Sequence, residues 1–164
     1  MKLAMIAAAV LLATPALAQT QAASSQDFLK DAIQGDNAEV QMGRLAAARG
    51  GSKEVRDYGK MLAADHQKAG AEARKLAGQM KIKAPGGIPA EAKDAKAKLQ
   101  KLRGADFDKE FVSVMVEDHQ KDIARYDEQA NGGDNDKVKA LAAKTLPTLK
   151  KHLEAAQKLP GAAQ

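Results

Sequence analysis

The sequence predicts an all-α fold, a four-helix bundle with an additional short helix in the crossover connection, and three observations carry that prediction. The chain is rich in Ala, Lys, Leu, Glu and Gln and poor in β-branched residues, a composition that favours helix over strand. Glycine pairs at Gly50-Gly51, Gly86-Gly87 and Gly132-Gly133 cut it into helix-sized pieces. Within those pieces apolar residues recur at alternating steps of three and four, the mark of one buried helical face. At 164 residues there is room for a single domain. Aromatic residues make up 3% and tryptophan is absent, so Ala, Leu, Val and Met must fill the core. The absence of cysteine excludes disulfide scaffolds, thiolate zinc sites, iron–sulfur clusters and cysteine nucleophiles.

Each element has its own signal. Residues 1–18 have the three parts of a secretory signal peptide: Lys2, the apolar run Ile6 to Leu12, and the small-residue site Ala16-Leu17-Ala18. That run is shorter than the roughly 20 residues needed to span a bilayer. The expected localisation is therefore export, with the periplasm first and outer-membrane association or secretion behind it. Residues 19–164 form the bundle domain. The first long helix starts after Ser24-Ser25 and runs over 25–49, with Leu29, Ile33, Val40 and Ala47 as its stripe. Ser52 caps the second, over 52–81, with Val55, Gly59, Leu62, His66, Ala69, Ala73, Leu76 and Met80 facing inward. The breaker Lys83-Ala84-Pro85-Gly86-Gly87-Ile88-Pro89 precedes a short polar helix over 90–103. The third long helix covers 105–131, with Val112, Met115, His119, Ile123, Tyr126 and Ala130 inward. The last covers 134–159, with Val138, Ala142, Thr145, Leu149, His152, Ala156 and Leu159 inward and Pro147 inside it, where a bend is expected.

The three histidines fall one on each of three long helices, all on the inward stripes. The remaining long helix, the first, has Glu39 beside its stripe, where Gly35 and Gly43 leave space. Measured from the nearest turn, Glu39 lies about 17 Å deep, His66 about 22 Å and His119 about 20 Å. His152, at about 28 Å, falls a turn or more away from that layer. The expectation is that Glu39, His66 and His119 hold a divalent transition metal (zinc, iron, copper or nickel) with His152 assisting. Because imidazole coordinates only when neutral, loss of metal is expected as pH falls through about 6.5. The tetrapeptide Asp-His-Gln-Lys occurs at Asp65–Lys68 and again at Asp118–Lys121. Asp65 and Asp118 point about 100° away from their histidines and read as surface charges or partners of ligands. The di-iron pattern Glu-x-x-His is missing, since Ala63, Val116 and Leu149 stand three residues before the histidines. No nucleophile elbow, phosphate loop or His-Glu-x-x-His motif is present, so the sequence establishes no catalytic motif, and oxidoreductase chemistry at the metal would need an open coordination position.

The runs Ala38-Glu39-Val40-Gln41-Met42-Gly43-Arg44-Leu45-Ala46 and Val55 to His66, together with Phe107-Asp108-Lys109-Glu110-Phe111, Asp118-His119 and Thr145 to Leu153, carry a resemblance. Over about residues 25–159 the chain resembles an exported bacterial family of unknown function, DUF4142, whose members are often labelled predicted outer membrane proteins. The resemblance implies a ferritin-like helical bundle in the bacterial envelope, with Glu39, His66, His119 and His152 as its site residues. It supplies no reaction.

A rival reading is a metal-free structural or stress-related envelope protein whose core histidines only satisfy hydrogen bonds. The net charge of +5 is modest. The basic run Lys93 to Arg103 has no aromatic residues interleaved for stacking, which argues against a nucleic-acid partner. It reads first as a solvated helix face and second as a peripheral contact with anionic envelope lipids.

Overall fold

The computed structural model describes residues 22–162, so the leader expected at 1–18 lies outside the described residues. Five helices follow in order: α1 (Ser25–Arg49), α2 (Lys53–Gln79), α3 (Ala90–Leu99), α4 (Gly104–Gly132) and α5 (Asp136–Ala156). Short polar side chains cap three of the four long helices, α1, α2 and α5. Ser24 Oγ accepts from the Asp27 amide at 3.2 Å and Ser52 Oγ from the Val55 amide at 3.2 Å. Asn135 Oδ1 accepts from the Lys137 and Val138 amides at 3.0 and 3.3 Å. The second helix stops two residues before the expected boundary because Lys81 adopts a left-handed conformation, φ 58°. Its neighbours close the end: the Lys81 amide donates to Gly78 O and the Ile82 amide to Ala77 O, at 3.1 and 2.9 Å. The short helix and the last one also end earlier than expected, at Leu99 and Ala156. Pro147 is exposed within an α5 that continues on both sides of it.

Two side-chain clamps fix the direction of the second hairpin, which sequence alone leaves open. At one end of the bundle, buried Asp108 near the start of α4 accepts from the Gly51 and Ser52 amides of the α1–α2 turn, at 2.8 and 2.7 Å. At the other end, Asp134 in the α4–α5 turn accepts from Ser25 at the start of α1. The two turns therefore lie at opposite ends, and the crossover through α3 travels back along the bundle. In consequence α2 and α4 run parallel. We expect Asp108→Ala to remove both bonds from the part-buried start of α2 and destabilise by about 2–3 kcal/mol. Thermal unfolding should show this as a midpoint lowered by about 5–15 °C; an unchanged midpoint would refute the clamp.

The tightest packing is between α1 and α2, and glycine makes it possible. A Cβ at Gly43 would lie 2.7 Å from Gly59 O, and one at Gly59 would lie 2.6 Å from Gly43 O. Farther apart, α4 packs on α5, with lighter α2–α5 and α1–α4 contacts closing the ring. The core is divided in two. Val55, Leu62, Leu99, Phe107, Phe111 and Met115 belong to one cluster, and Phe28, Leu29, Ile33, Tyr126, Val138 and Leu149 to another. The three histidines are buried polar residues, together with Asp36 and Glu39 on α1. The inward stripes differ in places from those expected: Val40, Ala47 and Thr145 are only half-buried, while Asp36, Ala38 and Leu146 are buried. No described helix is long and apolar enough to cross a membrane.

Candidate metal centre

His66 on α2, His119 on α4 and His152 on α5 are 4%, 1% and 2% exposed, and each offers a ring nitrogen within 4.8 Å of the others. Their ring centroids are 5.3 to 5.7 Å apart. The expectation that His152 lies a turn or more away is thus corrected, for two reasons. Residues 133–135 form the turn rather than helix, so measured from the ends of α4 and α5 the depths of His119 and His152 differ by only about 5 Å. Side chains also lean towards the helix N-terminus. That lean carries His152 back towards the α4–α5 turn and His119 away from it.

Each histidine is oriented from outside by its other nitrogen. His66 Nδ1 lies 2.8 Å from Asp36 Oδ1, His119 Nδ1 is 2.9 Å from Met115 O, and His152 Nε2 is 3.0 Å from Asp65 Oδ2. A carboxylate, a carbonyl and a second carboxylate therefore hold the three rings, the arrangement that fixes tautomer and direction in histidine metal sites. Turned inward are His66 Nε2, which is buried without a hydrogen-bond partner, and the pair His119 Nε2 and His152 Nδ1, 3.3 Å apart. Tetrahedral ligands on a metal–nitrogen bond of 2.0–2.1 Å stand about 3.3 Å apart, so that pair already matches one edge of such a site.

Glu39 is buried as expected but is not a member of this group. Asp36, one helical turn before it, reaches His66 instead. The hairpin register explains why. Gly43 meets Gly59 at the crossing, and Asp36 lies seven residues before the one as His66 lies seven after the other. Gly70 makes the space, since a Cβ there would lie 3.1 Å from Asp36 Cβ. Asp36 stands on the α1 stripe between Ile33 and Val40, and its only sequence signal is the count of seven from the glycine crossing, which apolar periodicity does not show. Asp65 meets a histidine, but it is His152 across the bundle rather than its neighbour His66.

Burial sets the protonation of this layer. It pushes the His66 imidazole down to about 4 and that of His119 to about 3, the latter helped by repulsion from the other two rings. Burial also lowers His152, against the pull of Asp65. It raises the Asp36 carboxyl to about 7, against the opposing effect of Arg74. Above that value Asp36 is ionised and can accept from a neutral His66. Glu39 is pushed well above the ordinary carboxylate range, by burial first and then by Asp118, Asp122 and Asp36.

A helical bundle with a buried, externally braced histidine triad is the class of protein this fold and site define. Residues 11–159 match the model of the domain of unknown function DUF4142, and the chain belongs to that family. No curated protein matches. Among solved structures, the fold is similar to a DUF305 fragment from Deinococcus radiodurans, with a TM-score of 0.74 and 14% identity, covering 87% of this chain and 99% of that one. It is also similar to CopM in its Cu(II)-bound form, with a TM-score of 0.71 and 14% identity over 84% of this chain and 96% of that one. CopM in the Cu(I)-bound form gives a TM-score of 0.68, also at 14% identity, over 83% and 94%. At such identities the likeness is one of fold.

Proposed function

We propose that this chain is an exported bacterial envelope protein that binds one transition-metal ion, copper before zinc, through His66, His119 and His152. The observation that carries the reading is a shortage of protons. Met115 O can only accept, so His119 Nδ1 carries its ring's hydrogen and Nε2 presents a lone pair. His152 is then flanked by two acceptors, His119 Nε2 and the Asp65 carboxylate, and a neutral imidazole has one hydrogen to give. His66 Nε2 adds another lone pair when its Nδ1 hydrogen is given to Asp36. A cation among the inward nitrogens satisfies all three rings at once. Three imidazoles with no thiolate suit copper and zinc, and copper(II) stands highest in affinity among divalent first-row metals. The copper-bound forms of CopM, which share the fold, support copper as the first choice.

The single long crossover is the connection found in ferritin-like bundles, which supports that reading of the architecture. The leader-like residues 1–18 support export to the periplasm. The test is a copper(II) titration of purified protein followed by the ligand-field spectrum and by calorimetry. One ion per chain is expected, with His119→Ala weakening it by more than about a hundredfold and Asp36→Asn by about ten- to a hundredfold. Equal binding by wild type and His119→Ala would end the proposal. The metal-free structural reading would then stand.

A further inference from the structure

The proposed metal centre leaves Glu39 unexplained. Its Oε2 is buried without a hydrogen-bond partner and its side chain is 3% exposed. Yet Glu39 lines a cleft of about 510 Å³ between α1, α3 and α4. Six carboxylates border that cleft: Asp31, Glu39, Glu91, Glu117, Asp118 and Asp122. The two cations on its walls are engaged with two of them, Lys121 with Glu117 at 2.6 Å and Arg125 with Asp31 at 3.7 Å. Among the described residues, Glu39, Glu91, Asp118 and Asp122 make no salt bridge, although Lys121 and Arg125 lie near enough to act on Asp118 and Asp122.

The bundle offers a comparison within itself. Asp65 and Asp118 occupy the same place in the repeated Asp-His-Gln-Lys of the parallel helices α2 and α4. Asp65 reaches across to α5 and meets a base, His152. Asp118 borders its cleft with α1 and shares it with an acid, Glu39. One interface closes through a hydrogen bond, whereas the other places carboxyl beside carboxyl with no base between them.

We propose that this cleft binds a second cation, a hard divalent ion such as magnesium or manganese, with Glu39 at its floor and Asp118 and Asp122 beside it. Oxygen donors select that class over copper. No three of these carboxylates are drawn together as closely as the imidazoles are. The ion therefore keeps much of its water and takes one or two carboxylates directly, as magnesium habitually does. This site does not depend on the histidine centre.

Manganese(II) binding to the full chain, read by loss of the free-ion electron paramagnetic resonance signal, tests the proposal. One ion per chain is expected for wild type and for His66→Ala/His119→Ala/His152→Ala, with affinity reduced about tenfold or more in Glu39→Gln and in Asp118→Asn/Asp122→Asn. Should the triple histidine variant not fold, wild type already saturated with copper takes its place and should still bind manganese. Loss of manganese binding with the histidines blocked, or undiminished binding by both carboxamide variants, would overturn the proposal. Manganese binding without any copper binding would leave this cleft standing while removing the histidine reading.

Discussion

Gly59→Val should destabilise the protein by about 3 kcal/mol or more, lowering the thermal midpoint by about 10 °C. The first atom added is already too large. A Cβ at Gly59 would lie 2.6 Å from Gly43 O, 2.8 Å from Ala46 Cβ and 2.8 Å from the Ala47 amide nitrogen. Two of these atoms are backbone and the third is a methyl fixed to it, so no rotamer change can relieve the contact. Valine adds two further methyls on the same branch point, and α1 must move away from α2. Because the crossing sets the register seven residues from Asp36 and His66, the brace on His66 should loosen with it. The contrasting variant is Gly78→Ala. That position has nothing within 4 Å of its would-be Cβ and ordinary helical geometry, so alanine should stabilise by about 0.5–1 kcal/mol. Similar midpoints for the two variants, followed by far-ultraviolet circular dichroism, would contradict the role given to the crossing.

Copper(II) at about a thousandfold above its dissociation constant should stabilise the folded chain by about 4 kcal/mol. The thermal midpoint should rise by about 8–16 °C, and His119→Ala should abolish the rise. The pH profile separates this site from an exposed one. In the folded protein His66 and His119 take up protons only near about 4 and about 3, because burial disfavours the imidazolium. Protons therefore compete with the metal near pH 4 rather than at the 6.5 of a free imidazole. Copper should stay bound to the folded protein at pH 5.5, and release centred near 6.5 would refute the buried triad. The same depressed values act on the metal-free protein. Between about pH 6.5 and 4 the unfolded chain gains histidine protons that the native state refuses, so these groups reduce stability as pH falls. Asp36 works in the opposite direction. Its folded value of about 7 means that it withdraws stability as pH rises from about 4 to 7.

The helices, their glycine boundaries and the burial of all three histidines are legible in the sequence because each is a local pattern of three and four. Helix ends are less so: Lys81 takes a left-handed position that composition assigns to glycine, and nothing in its neighbourhood announces this. The direction of the second hairpin depends on Asp108 and Asp134, which find partners 57 and 109 residues away. Periodicity carries no information at such separations. Within the site, the three imidazoles were visible while the choice between Asp36 and Glu39 was not. Both lie on one buried face of α1, and only the register of the Gly43–Gly59 crossing decides which one meets His66.

The clamps at the two turns also separate the ends of the described chain. Ser25 sits beside the α4–α5 turn, whereas Gly161 packs against Lys109 near the start of α4. Helices of this length measure about 40 Å, so a fluorophore attached just before α1 and another just after α5 would be held a full bundle apart. Pulling on those two points would slide helices past one another along their axes instead of peeling them open, loading the histidine layer in shear.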